Sequence, residues 1–380
     1  MLGWTAAQGR YGRFAKAGKA YDVFHSGKVR FSNALPLTPS GHAAYPVPQL
    51  LMEPKHRPAD PDRETLDPER VRVGRPTARR SASGNADANE QYEVLKNFVT
   101  LDGRIVKIRP SSRLRTAVRR GRAAEGQLFG YQHIEPAEDR RYVASIEAED
   151  NILGEEQWEA LLDAFDGKVL RLGRASGTAH GGGYRCVVAA NASCALWPAG
   201  GVPAGAARVR VWALSDLALA DALGAPCFAP TAEMLGLPGK DSEFCGSDSA
   251  ITVRRYAPWN RHLGTRDVER QVIAAGSVLT FVYRNPIEVP CQGKGRVGSW
   301  QESGLGRMCT APQLLEGEGG THTPGARLRL PAEAAEPIIR AAGEGRARPE
   351  GEALPDGAQD LLRWLEAMRH IEQAGNGTHA

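Results

Sequence analysis

The sequence predicts an α+β fold laid out as two halves of one plan, each half closing on a glycine-rich loop. Three observations carry this. Residues 169–187 (VLRLGRASGTAHGGGYRCV) and 291–312 (CQGKGRVGSWQESGLGRMCTAP) share a build, an apolar strand running into a glycine cluster with interleaved Arg and Lys. Strand and helix periodicities alternate ahead of each cluster. Hydrophobic residues make up 42% and charged residues 24%, the balance of a packed globular chain. Glycine lets backbone amides approach a ligand closely, and Arg and Lys suit phosphate. Each loop alone reads as a tight turn with solvated arginines, whereas the same build twice, on a chain of net charge +4, suits a long polyanion rather than a single nucleotide. Neither loop ends in the Gly-Lys-Ser/Thr of a P-loop. Neither has the βαβ pattern with an acidic residue about 20 residues on that marks a dinucleotide fold.

At 380 residues the chain is long enough for two ordinary domains with full cores. Its charge is uneven. Residues 331–380 hold five Arg against nine Asp or Glu, a balance of −4, so the preceding 330 residues must carry +8 to give the total of +4. A basic body with an acidic tail suits nucleic acid and equally an ordinary Arg-rich basic protein. The six cysteines, at 186, 194, 227, 245, 291 and 309, show no Cys-x-x-Cys spacing. With no signal peptide in the sequence, a reduced cytoplasmic chain is expected, its cysteines acting as small core residues. No run of about 18 apolar residues suggests a membrane helix, and no motif asks for a metal or cofactor.

The elements follow in order. Residues 1–17 read as a helix stopped by Gly18, and 28–37 (KVRFSNALPL) as a strand ending at Pro36. Residues 54–90, rich in Pro, Arg, Asp and Ser, read as a long insertion or mobile loop. Apolar runs in 94–109 flank a turn at Asp102 and Gly103. From Arg104 to Arg122 there are eight Arg or Lys and no acid, the most basic window of the chain. It reads either as a solvated hairpin or as a phosphate-tracking surface.

In residues 155–165, Trp158, Leu161, Leu162 and Phe165 share a helix face, with Gly167 just past the end. A connector rich in Pro, Gly and Ala spans about 195–206. In 208–214, Val209, Val211 and Ala213 alternate with Arg208, Arg210 and Trp212. Ser215 then suits the N-cap of a helix over 216–223 that stops at Gly224. Residues 278–283 form another strand before the second loop. A last helix at 358–374 carries Leu361, Leu365, Met368 and Ile371 on one face.

Six segments, taken together and in order, resemble the RAMP superfamily of CRISPR effector subunits: DVFHSGKVRFSNALPL (22–37), RLRTAVRRGRAAEGQLFGYQHI (113–134), WALSDLALADALG (212–224), YAPWNRH (256–262), AAGSVLTF (274–281) and GSWQESGLGRMCTAP (298–312). The likeness covers roughly 1–315 and is greatest to type III members, the type III-D RAMP subunit among them. It implies tandem ferredoxin-like (RRM-like) RAMP domains with glycine-rich loops: an N-terminal domain over 1–195, a C-terminal domain over 206–315, and an acidic tail with a terminal helix over 316–380. It further implies a CRISPR RNA-binding structural subunit of a type III antiviral complex, whose partners are CRISPR RNA, other RAMP subunits and the large subunit. The glycine loops would face the RNA backbone. Members of the family usually begin with a strand and a short turn ahead of the first helix. The chain opens inside that helix at MLGWTAAQ, so extending the gene upstream in frame is expected to add about 30 to 50 residues with an apolar strand.

The residues expected to hold RNA are Arg113, Arg115, Arg119, Arg120 and Arg122 in the basic window; Arg171, Gly173, Arg174, Gly181, Gly182 and Gly183 in the first loop; and Lys294, Arg296, Trp300, Gly304, Gly306 and Arg307 in the second. Trp212, Tyr256, Trp259, Trp300 and Tyr184 sit beside Arg or glycine motifs, where a base could stack. Of the nine histidines, His25, His133, His180 and His262 lie in or near the motifs. A metal-independent ribonuclease needs a general base near a 2′-hydroxyl, and His180 and Asp102 are the candidates. A ribonuclease of the same fold and an unrelated glycine-rich binding protein stay open beside the structural reading.

Overall fold

The computed structural model describes residues 20–55, 63–74, 91–119, 122–135, 140–171, 183–188, 196–198, 200–260, 264–316, 325–331 and 337–338. The helices expected over 1–17 and 358–374 lie outside them. The described residues form small antiparallel sheets with two short α-helices, an α+β, sheet-rich chain. The chain divides into two compact units that are discontinuous in sequence. One draws on Met1–Ser32 and Ile146–Ser193, the other on Asn33–Ser145 and Cys194–Arg340.

In the first unit, helix Ala20–Phe24 leads into strand Val29–Phe31, which pairs with Ile146–Ala148. Helix Glu155–Asp163 begins at Gly154, whose N–H donates to the Gln157 side chain at 3.2 Å. Its expected apolar face is real. Leu161 and Phe165 are buried with Val23, Phe24, Val29 and Phe31, and Trp158 packs against them. Gly167 then adopts φ 65°, the left-handed turn that only glycine takes without strain.

The second unit centres on a four-stranded sheet in the order Ser242–Phe244, Val278–Tyr283, Arg208–Ala213, Met308–Thr310. Both of its faces are buried. Val209, Val211, Ala213, Leu279, Phe281 and Met308 look into one core, while Trp212, Val278 and Cys309 join Tyr45, Leu51, Val73 and Val99 in the other. The alternation in 208–214 therefore separates two cores, not core from solvent. Trp212, expected as a stacking platform, is fully buried and donates from Nε1 to the Pro46 carbonyl at 3.1 Å.

The expected helix over 216–223 does not form, and among the described residues of 200–316 there is no α-helix. Tertiary bonds take the groups that the helix needs. The Ser215 hydroxyl accepts the Arg307 N–H at 2.8 Å instead of capping. Leu217 and Ile273 exchange backbone hydrogen bonds. The Asp221 carboxylate accepts the N–H groups of Leu223 and Ala225, both at 2.9 Å, and closes a turn. Residues 28–37 likewise divide into Val29–Phe31 and Leu35–Pro36. The reading of 54–90 as a mobile insertion is corrected for 63–74. Strand Arg72–Val73 pairs with Leu51–Pro54, and Leu66, Val71 and Val73 are core residues.

Burial of two acids makes the second unit sensitive to alkali. It pushes the Cys309 thiol up from 9.0 to about 12. Burial, then Cys291, pushes the Tyr283 phenol up from 10.0 to about 12. Each folded value lies above its unfolded one, so the stability they confer is complete below about pH 9 and is lost as the pH rises towards about 12, by about 1.4 kcal/mol per unit for each group. The urea midpoint at about pH 11 is expected well below that at about pH 8; equal midpoints would refute the burial argument.

Candidate nucleic-acid interface

The basic window forms a long two-stranded ribbon. Strand Pro110–Arg119 pairs antiparallel with Arg122–Ile134, with a register shift between Ala123 and Leu128. Among the described residues it pairs with no other strand. Pro110 restricts the start of the ribbon, and the β-branched and aromatic residues along it favour extended backbone. Register sets Arg113 opposite Tyr131, Arg115 opposite Phe129 and Arg119 opposite Arg122. Near the base, Ser112, Arg113, Leu114, Gly130, Gln132 and Ile134 are all exposed, Leu114 at 74%. Consecutive residues of a strand point to opposite sides, so solvent reaches both faces there. A two-stranded hairpin exposed on both faces is marginal by itself in water. Arg120 lies outside the described residues, and Arg115, Arg119 and Arg122 are placed by their register positions.

The first glycine loop leaves strand Val169–Arg171 and returns in strand Gly183–Arg185, with Arg171 opposite Gly183. A Cβ on Gly183 would lie 2.7 Å from the Val169 side chain. Tyr184 and Arg185 are exposed. Gly173, Arg174, His180, Gly181 and Gly182 lie outside the described residues.

The second loop is a narrow hairpin whose neck is a bridge between Arg296 and Arg307. Gly293, Gly298 and Gly306 serve close packing. Gly306 has φ 91°, and a Cβ there would sit 2.2 Å from the Val297 carbonyl oxygen. The Gly306 N–H donates to the Asp216 carbonyl at 2.8 Å, and that of Gly304 to Gln301 at 3.1 Å. Both glycines are buried, and both amides are spent inside the fold. Around these two glycines the groups that can meet a ligand are side chains: exposed Lys294, and half-buried Arg296, Trp300 and Arg307. Trp300 takes the left-handed conformation at φ 56° and lies under the Arg270 guanidinium at 4.7 Å. Arg307 lies over the Trp197 ring at 5.2 Å. Gly306→Ala is expected to cost upwards of about 2 kcal/mol, since the left-handed backbone alone accounts for about 1–2 and the carbonyl contact adds to it. A thermal melt unchanged by the substitution would overturn this packing role.

Asp102 braces the turn between strands Phe98–Val99 and Ile105–Val106. One carboxylate oxygen accepts the Thr100 hydroxyl; the other pairs with Arg104 Nε at 3.1 Å. Both oxygens are thus engaged within the turn, and Gly103 completes it at φ 86°.

A second ribbon, over 253–273, carries Tyr256 and Trp259, two of the rings where a base could stack, and none of the Arg, Lys or Gly positions expected to hold RNA. Strand Val253–Tyr256 pairs with Arg270–Ile273, and beyond it Trp259–Asn260 pairs with Thr265–Arg266. Its root is anchored. Val272 is fully buried, Tyr256 and Trp300 pack beside it, and Arg254 lies over Tyr256 at 4.8 Å while bonding Asp216. The signal in the sequence was the run RRYAPWNRH, where arginines and aromatics interleave.

Among the described residues, no group of three or more His, Cys, Asp or Glu could hold a metal ion, and no helix is long and apolar enough to cross a membrane. No family model matches the chain, and neither does any curated protein. Solved structures do. A chain of the cryo-EM structure of the Type III-B Cmr-beta bound to cognate target RNA is similar at a TM-score of 0.33 and 10% identity, over 69% of this chain and 66%, just under two thirds, of that one.

Proposed function

We propose that the chain is an RNA-binding structural subunit of a type III RNA-guided antiviral complex, acting in the cytoplasm, and that it grips the CRISPR RNA backbone along the ribbon over 110–134. The observation that carries this reading is the ribbon itself. It is exposed on both faces at its base, has no further strand partner among the described residues, and carries arginines at alternating register positions opposite aromatic residues. Extended phosphate chains suit such a surface, because cationic side chains spaced along a strand can follow the backbone while aromatic rings receive bases. The order of the six motifs supports the family and, through it, RAMP subunits and a large subunit as neighbours. The side chains of Lys294, Arg296 and Arg307 supply further positive charge from the second loop.

The test is the nucleic acid that stays bound through purification. The tagged chain, expressed with its neighbouring genes, is expected to retain short RNAs of uniform 5′ end, each carrying a repeat-derived tag. Random fragments that moderate salt removes would refute the proposal. Loss of RNA cleavage by the assembled complex on changing His180 or Asp102 to Ala, with RNA retention intact, would move the reading to a ribonuclease.

A further inference from the structure

The outer end of the second ribbon presents a tryptophan largely to solvent. Trp259 is 60% exposed, although the ribbon carrying it is anchored at its root by Val272 and Ile273, both fully buried. Directly opposite Trp259 in register stands Arg266, also exposed. Around this pair, Val268 is 73% exposed and the Arg255 side chain 70%. Residues 253–273 contain five Arg and one His against two acids, Asp267 and Glu269. Both acids are engaged locally, Asp267 by the Val268 N–H at 2.9 Å and Glu269 by Arg255 at 3.4 Å.

These features select a ligand class. An exposed indole facing an exposed guanidinium across a strand pair offers a ring face with a cation beside it. An apolar protein partner would ask for an uncharged group across from the ring, whereas the residue opposite Trp259 is the exposed Arg266. A flat apolar group joined to an anion satisfies both, and an unpaired nucleotide is that combination. The short two-stranded end restrains the Trp259 backbone, and an indole has only two side-chain torsions to fix, so little order is lost on binding.

We infer that Trp259 and Arg266 form a second RNA contact, in which an unpaired base stacks on the indole and Arg266 holds a neighbouring phosphate. The inference rests on the RNA-binding reading above and adds to it a base-stacking position outside both glycine loops and the first ribbon. No sequence preference is built into such a platform, because every base offers a π face.

The experiment uses the full chain and two fluorescein-labelled probes, an oligoadenylate and the same oligomer with abasic sites. Trp259→Ala is expected to weaken the base-bearing probe about tenfold and to leave the abasic probe unchanged, with Trp259→Phe restoring most of the difference. Arg266→Ala is expected to weaken both probes alike. Three results would overturn the inference. If Trp259→Ala binds the base-bearing probe as tightly as the parent while Arg113→Glu abolishes binding, the first ribbon holds RNA and the second does not. If Trp259→Ala weakens both probes equally, no base stacks there. If RNA affinity is kept but a neighbouring subunit is lost from the purified complex, the ring is a protein contact. A parent chain that binds neither probe at low salt would instead refute the RNA reading itself, and the second contact with it.

Discussion

Asp248→Ala is expected to destabilise the chain by about 3–5 kcal/mol, because it strands a buried guanidinium. Arg210 stands in the middle of the central sheet at 1% exposure, and Asp248 is 7% exposed. Asp248 accepts from Arg210 Nη2 at 3.3 and 3.4 Å, and it also binds Arg208. Arg210 Nη1 donates to the Leu315 carbonyl at 2.7 Å, which ties the end of the second loop region to the sheet. Burial pulls the Arg210 pKa down, Asp248 holds it up, and Arg208 opposes the charge. Removing the carboxylate leaves the first and last of these effects without the second. Replacing the pair together, as Arg210→Met with Asp248→Leu, is expected to recover most of the loss, since buried ion pairs exchanged for packed apolar groups are often neutral. Chemical denaturation measures both. A cost below about 1 kcal/mol for Asp248→Ala would be that of a surface pair and would refute the network.

That same arginine shows where the sequence was legible and where it was not. The strands at 208–213 and 278–283 and the helix at 155–163 were readable because their apolar periods match their backbones. The turn at Asp102 and Gly103 was readable from its residues. The stacking position expected at Trp212 fails, and Arg210 is buried beside it, because nothing local announces a second core on the far side of an alternating strand. The segment SDLALADAL has the periodicity of a helix, yet Ser215, Asp216 and Leu217 each bond a partner distant in the chain, Asp216 taking the Ala275 N–H at 3.0 Å. Local propensity is a weak prior against several such bonds. In 63–74 three apolar residues among many polar ones were enough for a core position.

The candidate site divides along the same line. Arg and Gly in the second loop are legible by type, but both Gly304 and Gly306 are buried and Gly306 packs against the Val297 carbonyl. Their composition could not distinguish a loop that cradles phosphate from one that lets two backbones touch, since glycine serves both. The basic window reads from its charge as a hairpin or a phosphate-tracking surface, and the structure adds the register that sets Arg113 opposite Tyr131 and Arg115 opposite Phe129. Sequence offers Trp212, Trp259 and Trp300 alike, because exposure separates those rings and sequence does not carry it.

The ribbon makes a quantitative claim about salt. Arg113→Ala with Arg115→Ala is expected to reduce the slope of log K against log salt for single-stranded RNA by about 1.4, because each phosphate contact on a single strand contributes about 0.7. The two positions are one repeat apart on a strand, about 6.6–6.8 Å, within reach of successive phosphates of an extended chain. Arg113 is exposed, and the ribbon pairs with no other described strand, so the double change should leave the thermal melt of the chain in place. Affinity should fall for all sequences alike, because phosphate contacts position a strand without reading it. A slope unchanged by the double substitution would mean that these arginines are merely solvated, and the grip on RNA would then have to come from the loops. A slope change accompanied by a shifted sequence preference would mean instead that Arg113 or Arg115 contacts bases, and the ribbon would be a reader rather than a clamp.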